Sequence, residues 1–194
     1  MSKRIRFDEK PPAAADEEVV AATRDWLERA VIGLNLCPFA KAVHVKNQIR
    51  YAVSAAQTPE NLLADLVSEL RILQAADPSE IDTTLLVHPR VLADFLDYID
   101  FLDLADAVVA AEGLEGEIQI ASFHPQYQFA GTRPEEIENC SNRSPYPTLH
   151  LLREASIARA VAAFPDASQI YERNIESLRR LGHEGWRRLK ADNA

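Results

Sequence analysis

Two histidines, His88 and His124, stand directly after segments that we predict to be β-strands, and each is followed by proline. The first segment is the apolar, β-branched run of residues 83–87, and the second covers residues 116–123. In a parallel sheet the carboxyl ends of the strands share one edge, where ligands bind. An imidazole at that edge can transfer protons or bind a metal ion. Alternatively, each His-Pro pair only ends its strand, with His88 capping a helix that opens at Pro89.

The segment that follows His124 is long and irregular. Residues 124–147 show no hydrophobic period and contain four prolines. A structureless stretch of this length inside a domain is usually functional or disordered. Its amide and guanidinium groups suit an oxyanion or an amide substrate, so we predict a substrate-binding loop; the alternative is a packed loop that satisfies its own backbone. The candidate contacts in this loop are Tyr127, Gln128, Asn142, Arg143 and Tyr146.

A histidine and a carboxylate follow this loop at helical spacing. His150 and Glu154 are four residues apart, so on a helix they share a face, with Arg153 beside them. A carboxylate at this spacing can hold the imidazole in one tautomer, or the pair can contribute to a metal site. We predict His124 as a general acid/base, Glu154 as the group that orients His150, and Arg153 as a substrate contact. A surface ion pair is the alternative.

These predictions make a geometric demand on the fold. A loop that folds back over the sheet edge would bring His124, Arg143 and His150 within about 10 to 12 Å of one another around one concavity. Cys37, in a loop after the first predicted helix, could also reach this edge, so it is a further candidate contact. A buried, unreactive thiol is the default for its apolar surroundings, because a thiolate needs a helix N-terminus or a nearby cation.

Strands and helices alternate along the part of the chain that must position these residues. We predict a tail over residues 1–15 and a single α/β domain over residues 16–190. A third strand, at residues 49–53, comes before the other two, and helices separate the three. The predicted fold is a small, three-stranded, mostly parallel sheet with helices packed on it and the long loop over its carboxyl edge. A fourth strand at residues 127–132 would make the sheet mixed.

Composition limits the class of protein. The chain has 194 residues and a formal charge of −9, which argues against a duplex nucleic-acid binder. No apolar run reaches the roughly 18 to 20 residues of a membrane helix, and the N-terminus lacks the apolar stretch of a signal peptide. Two distant cysteines do not make a disulfide framework, so we expect the reducing cytoplasm. The last predicted helix has more basic than acidic residues, which is typical of a solvated helix face.

We therefore predict a cytoplasmic enzyme that acts on a small anionic or polar metabolite by histidine acid/base chemistry. The first alternative is a metal- or ligand-binding module without catalysis, with His88, His124, His150 and Glu154 as ligands. An interaction protein that uses the arginines of the last helix is a further alternative. A Walker loop, a glycine-rich dinucleotide turn and a Gly-x-Ser-x-Gly motif are absent, and neither a cofactor nor the oligomeric state follows from the residues.

Three stretches of this sequence carry a resemblance to a known family. They are residues 35–40 (Asn-Leu-Cys-Pro-Phe-Ala), residues 121–132, which begin Ala-Ser-Phe-His-Pro, and residues 142–156, which begin Asn-Arg-Ser-Pro-Tyr-Pro. Over residues 17 to 189 the chain resembles the bacterial family catalogued as domain of unknown function 1415. The resemblance implies a small single-domain protein with no assigned activity, so it names no catalytic residue. It also implies a threonine where this chain has Cys140, which weakens any role for that thiol in a site.

Overall fold

The computed structural model describes residues 13–162 and 169–191 of the chain. The helices, in chain order, are α1 (Ala13–Trp26), which continues as a π-helical turn (Leu27–Ile32), α2 (Ala40–Val45), α3 (Pro59–Ala75), α4 (Phe95–Ala111), a 3₁₀ helix (Ile137–Asn142), α5 (Glu154–Ala162) and α6 (Ile170–Ala191). The strands are β1 (Ile49–Val53), β2 (Thr83–Val87), β3 (Ile118–Phe123) and β4 (Thr148–Arg153). Within these ranges no helix is long and apolar enough to cross a membrane.

The four strands form one mixed sheet in the order β1-β2-β4-β3. β1 and β2 are parallel, and β4 lies antiparallel between β2 and β3. β1, β2 and β3 therefore run in one direction, and the residues that follow β2 and β3 emerge at the same edge. The α/β class is confirmed. The prediction of a three-stranded, mostly parallel sheet is wrong in detail, because an antiparallel strand separates β2 from β3.

This antiparallel strand comes from a segment that the sequence predicts to be helical. Residues 148–153 form β4, whereas residues 127–132, the predicted fourth strand, form turns. Leu149 and Leu151 are fully buried on one face of the sheet, and the alternate side chains of β4 lie on the other face. A strand covered on both faces has a nearly continuous apolar sequence, which periodicity alone cannot distinguish from a buried helix.

Two helix starts also differ from the predictions. The helix after β2 begins at Phe95 rather than Pro89, because Asp94 caps it by accepting bonds from the backbone N–H groups of Leu96 (2.8 Å) and Asp97 (3.3 Å). Residues 88–94 are irregular, with Leu92 at a φ of 57°. The predicted tail ends earlier than expected, because α1 begins at Ala13; residues 1–12 lie outside the described residues.

The two faces of the sheet are covered by different helices. One face packs on α3 and α4 around a large apolar core that contains the fully buried Leu66, Leu86, Leu149 and Tyr98. The opposite face packs on α1, the π-helical turn and α6, with Trp26 and Phe123 in edge-to-face contact at 5.2 Å. We call these the α3–α4 face and the α1 face. Successive side chains of a strand point alternately to these two faces.

Candidate functional site

His88 and His124 do meet at the carboxyl edge of the sheet, on the α3–α4 face. Both rings lie against Tyr98 of α4, with centroid separations of 5.7 Å for His88 and 5.1 Å for His124. The Tyr98 hydroxyl donates to the Thr148 carbonyl at 2.9 Å and accepts from the Phe123 N–H at 3.2 Å. All three rings are fully buried. The predicted juxtaposition of the two histidines is therefore present, in the interior of the protein.

Backbone groups occupy both ring nitrogens of His124. Gln126 donates its N–H to Nδ1 at 3.1 Å, so the ring proton is on Nε2, which donates to the Leu92 carbonyl at 3.1 Å. Burial lowers the pKa of His124, which keeps the ring neutral. The neutral His124 ring links residues 88–94 to the start of the long loop through these two hydrogen bonds. Neither ring nitrogen is left to bind a ligand.

His88 has one nitrogen engaged. Its Nδ1 donates to the Val91 carbonyl at 3.1 Å, while Nε2 is buried and has no hydrogen-bond partner among the described residues. Burial lowers the pKa of His88 to about 4, so the ring is neutral near pH 7. His88 thus holds the same irregular segment that His124 holds.

His150 lies on the other face of the sheet, so the predicted convergence with His124 is wrong. In the register of the sheet His150 stands between Leu85 and Ala121, and its ring is 6.0 Å from that of Phe123 on the α1 face. Its Nε2 pairs with the Thr83 hydroxyl at 2.7 Å, and that hydroxyl donates to the Leu151 carbonyl. Nε2 therefore carries the proton, and burial lowers the pKa of His150 to about 4.

The predicted pairing of His150 with Glu154 on one helix face is also wrong. His150 is in β4 and Glu154 is the first residue of α5, and four residues of strand span about 13 Å rather than one helical turn. The Glu154 N–H bonds to the Glu117 carbonyl at 2.9 Å. Neither residue gains the partner that the spacing predicted.

Arg153 is engaged by the C-terminal end of α3. Its guanidinium donates to the carbonyls of Leu73, Ala76 (2.7 Å) and Ile81 (3.2 Å from Nη2). These are carbonyls of the last turn of α3 and of the connection that follows it, which a cation stabilises. Arg153 therefore joins β4 to α3, and its fork of donors is directed at the backbone.

The long loop is ordered by two asparagines. Asn139, which the sequence reasoning missed, is fully buried: its Oδ1 accepts from Phe129 N–H (3.0 Å) and the Thr132 hydroxyl (2.8 Å), and its Nδ2 donates to the Arg133 carbonyl (2.8 Å). Asn142 covers the open edge of β3 by donating from Nδ2 to the Ser122 carbonyl at 3.1 Å and accepting the His124 N–H at 3.1 Å. The alternative of a packed loop thus describes much of this segment.

The remaining predicted contacts have ordinary packing roles. Tyr127 packs on Phe95 at 5.4 Å, and Gln128 donates to the Thr132 carbonyl at 2.5 Å. Tyr146 packs beside Leu85 and Val87 on the α1 face. Cys37 is half-buried before α2, and burial raises the pKa of its thiol, so the thiol stays protonated near pH 7.

Arg143 lines a cavity between the long loop and α6, which we call the loop–helix cavity. Its Nε donates to the Tyr127 carbonyl at 3.0 Å and its Nη2 to the Pro134 carbonyl at 2.6 Å, which fixes the guanidinium plane and leaves Nη1 for a ligand. The cavity has a volume of about 460 Å³. Its lining residues are Pro125, Glu135, Cys140, Arg143, His183, Trp186 and Arg187.

A break in α6 places the other basic groups of this cavity. Gly182 has a φ of 66° and a ψ of 173°, a conformation that is essentially restricted to glycine, so the helix changes course just before His183. His183 and Arg187 are four residues apart in the second part of α6 and share a face. The sequence reasoning counted Arg187 in the basic excess of this helix but did not place it or His183 in a site; the usable signal was their spacing directly after a glycine.

The loop–helix cavity carries excess positive charge. Arg143 and Arg187 are cationic at any physiological pH. Among the described residues Glu135 is the one carboxylate of the lining, and it shares Arg133, at 3.5 Å, with Glu136, at 3.1 Å, so the two guanidinium groups of the lining still outnumber its carboxylate. Arg187 is exposed and has no carboxylate partner among the described residues, in contrast to its neighbour Arg188, which pairs with Glu184. The arrangement suits an anionic group, which two guanidinium forks and an imidazole can bind.

The metal-binding alternative finds no support in this arrangement. No group of three or more His, Cys, Asp or Glu side chains could hold a metal ion within residues 13–162 and 169–191. The four ligands named for that alternative are divided: His88 and His124 lie on the α3–α4 face, His150 on the α1 face, and Glu154 at the start of α5.

The fold and its cavity define a small α/β protein with a cationic cavity beside the loop that follows β3. The family model described as "Protein of unknown function (DUF1415)" matches residues 18–188, most of the chain. The chain belongs to this family, so the resemblance seen in its motifs is confirmed. No curated protein and no solved structure matches the chain.

Proposed function

We propose that this protein binds a small anionic metabolite in the loop–helix cavity and that His183 is the acid/base group available for acting on it. The observation that carries the proposal is the meeting of Arg143, His183 and Arg187, from two separate elements, in the lining of one cavity. Binding sites for small molecules are concave and hold a few convergent polar groups, and a volume of about 460 Å³ lies in their usual range.

The elements around the cavity support binding by fixed groups. Two carbonyls hold the Arg143 guanidinium, and Arg179 of α6 pairs with Glu138 of the 3₁₀ helix, with Nε to Oε1 at 3.1 Å. This ion pair joins the two walls of the cavity. A guanidinium that is already oriented loses less entropy when it binds an anion, which favours affinity.

His183 is better placed for acid/base chemistry than His124, the residue that the sequence pointed to. His124 is fully buried with both nitrogens bonded to backbone, whereas His183 is exposed and lines the cavity. A general acid or base must lie within hydrogen-bond reach of the proton it transfers. The alternative is that the protein binds the anion without catalysing a reaction. Measuring turnover of the bound ligand distinguishes catalysis from binding alone.

The test is thermal stabilisation and titration calorimetry with a panel of small phosphates, sulfate and mono- and dicarboxylates at fixed ionic strength. A ligand that binds only the folded state raises its stability, by about 2.7 kcal/mol at a hundredfold excess over Kd. We expect at least one anion to bind, Arg187→Gln to weaken it about tenfold, and the matched Arg188→Gln to change it less than about twofold. Equal effects of the two substitutions, or no binding at all, would contradict the proposal.

Once an anion that binds is known, related metabolites can be screened for turnover. His183→Asn should abolish turnover and leave ligand binding within about threefold, because the asparagine retains a polar contact without transferring protons. Full turnover by this variant would exclude His183 as the acid/base group. Binding without turnover across the panel would favour the non-catalytic alternative.

A further inference from the structure

Strand β1 is an outer strand of the sheet, and no described residue pairs with its free backbone edge. Ser54 donates its N–H to the Val87 carbonyl at 2.8 Å, and the Gln48 carbonyl accepts from Thr83 at 3.4 Å. Successive residues of an outer strand alternate between bonding the neighbouring strand and pointing away from it. The backbone N–H and C=O groups of Ile49, Tyr51 and Val53 therefore point away from β2, and they make no backbone hydrogen bond to the described residues.

The opposite edge of the sheet is treated differently. The Asn142 side chain and carbonyl bond to the outward groups of Ser122 and His124, so the long loop closes the end of β3. Proteins commonly protect an outer strand with a proline, a bulge or a covering loop. β1 contains no proline and pairs with β2 in unbroken register from Ile49 to Val53.

A groove runs beside this open edge, between β1 and α1. Its volume is about 520 Å³, and we call it the β1 groove. Val20 and Ala21 of α1 and Val53 of β1 supply its apolar surface. Arg24 lies over the ring of Tyr51 at 5.0 Å from its centroid, which forms the wall at the Tyr51 end. A strand added to β1 would direct every second side chain into this groove.

The Val53 end of the groove carries a net negative charge: Arg90, which donates to the Ser54 carbonyl at 3.3 Å, is balanced by Asp16, and Glu17 and Asp65 are two further carboxylates. Glu17 lines the groove, is exposed, and has no cationic partner in the described part of the chain. On the α3–α4 face, Asp65 accepts from the Ser54 hydroxyl at 2.5 Å and likewise has no cationic partner among the described residues. Asp16, by contrast, is paired with Arg90 at 3.4 Å. Two uncompensated carboxylates flank the position that an added strand would reach.

We propose that β1 accepts an extended peptide as a fifth strand, and that this peptide alternates apolar with basic residues. The peptide would bond to the outward groups of Ile49, Tyr51 and Val53, place its apolar side chains in the groove against Val20 and Val53, and bring a basic side chain beside Asp65 on the opposite face of the sheet. Main-chain bonds supply affinity in this mode of recognition, and the groove and the carboxylates supply selectivity. This surface is distinct from the loop–helix cavity, which Arg143 and α6 line.

The test uses fluorescence anisotropy of the full chain with a labelled, acetylated Val-Lys-Val-Lys-Val peptide. We expect saturable binding, binding at least about fivefold weaker for the matched Val-Glu-Val-Glu-Val peptide, and about tenfold weaker for a Val-Lys peptide N-methylated at alternate amides. Asp65→Asn, which keeps an acceptor for the Ser54 hydroxyl, should weaken binding by about two- to fivefold, whereas Glu18→Gln, at an exposed carboxylate outside the groove, should change it less than that.

A second pair of variants examines the backbone edge itself. Val53→Pro removes an outward N–H, which an outer strand tolerates, and should abolish binding; Val53→Ala keeps that N–H and should retain most of it. Equal binding of the lysine and glutamate peptides, or unchanged binding by Val53→Pro, would overturn the proposal. Sedimentation that shows a dimer in the parent chain and a monomer in Val53→Pro would identify a second copy as the occupant and overturn the assignment to a peptide.

Discussion

His88 and His124 hold adjacent carbonyls of one irregular segment. His88 donates to the Val91 carbonyl and His124 to the Leu92 carbonyl, both at 3.1 Å, while their rings pack on the same tyrosine. Leu92 has a positive φ, which costs free energy in a residue other than glycine. The two neutral imidazoles therefore stabilise this strained backbone conformation.

The buried, neutral imidazoles of His88 and His150 make the stability of the fold sensitive to acid. The pKa of His88 and of His150 is lowered to about 4 in the folded chain, against about 6.5 when unfolded. Below pH 6.5 the unfolded state binds protons that the folded state does not, so the free energy of unfolding falls as the pH falls and levels off near pH 4. We expect a loss of about 2 kcal/mol per histidine between pH 7 and pH 5.

Urea unfolding at pH 7 and pH 5 measures this loss. The His88→Asn variant should be less stable at pH 7 but should lose about 2 kcal/mol less than the parent on acidification, because asparagine does not titrate in this range. A parent chain whose unfolding free energy is the same at both pH values would show that these imidazoles titrate normally in the folded state.

Arg153 is expected to support the fold rather than a ligand. Arg153→Ala leaves the carbonyls at the end of α3 without their donor and should lower the free energy of unfolding by about 2 to 3 kcal/mol. Arg159→Ala is the matched control, because this exposed arginine donates to the Ser156 hydroxyl and to no other group of residues 13–162 and 169–191, and it should change stability by less than about 0.5 kcal/mol. Chemical denaturation measures both. An Arg153→Ala chain as stable as the parent, with lost anion binding, would restore the predicted role as a substrate contact.

Gly182 is expected to be needed for both the fold and the cavity. Alanine at a φ of 66° and a ψ of 173° is strained, so Gly182→Ala should cost about 1 to 3 kcal/mol in stability. Relief of that strain by straightening α6 would move His183 and Arg187 away from Arg143, and anion affinity would fall. Glu184→Ala, on the exposed surface of the same helix, should leave affinity within about twofold. Calorimetry below the melting temperature separates a loss of affinity from a loss of folded protein.

Cys37 is expected to react slowly. The raised pKa of its thiol leaves little thiolate at pH 7.5, and the thiolate is the nucleophile. Alkylation by iodoacetamide, followed by intact mass, should be at least about tenfold slower than that of an unstructured cysteine peptide. Cys37→Ser assigns the modified residue. Alkylation as fast as that of the peptide would indicate an accessible thiolate and revive Cys37 as a functional group.

Local sequence signals predicted the parts of this fold that depend on local chemistry. Thr58 followed by Pro59 is a local signal for a helix start, and α3 begins at Pro59, with the Thr58 hydroxyl accepting the Asn61 N–H at 3.3 Å. The strands before His88 and His124 were recognisable from composition. Residues 149–152 were wrongly predicted to be helical, because tertiary contacts decide whether such an apolar run forms a helix or pairs with β2 and β3.

The site was harder to predict for a related reason. His150 was predicted on a helix but lies in β4, with its ring on the α1 face of the sheet. The expected group of His124, Arg143 and His150 therefore does not form. Arg143 was found from its residue type, but its partners His183 and Arg187 lie about 40 residues later in the chain. The local sequence around Arg143 does not indicate that α6 packs beside it.

The position of β4 in the sheet also determines the order in which the strands can pair during synthesis. β3 is complete at Phe123, yet its neighbour in the sheet is β4, which begins at Thr148. A nascent chain that ends within the long loop can pair β1 with β2 and can pack β3 on α4, but the backbone of β3 has no strand to pair with. In the last pairing step β4 inserts between β2 and β3 and forms hydrogen bonds with both. Pairing across such sequence separations is slow, so this step is expected to limit the folding rate and to leave the chain open to aggregation until it is complete.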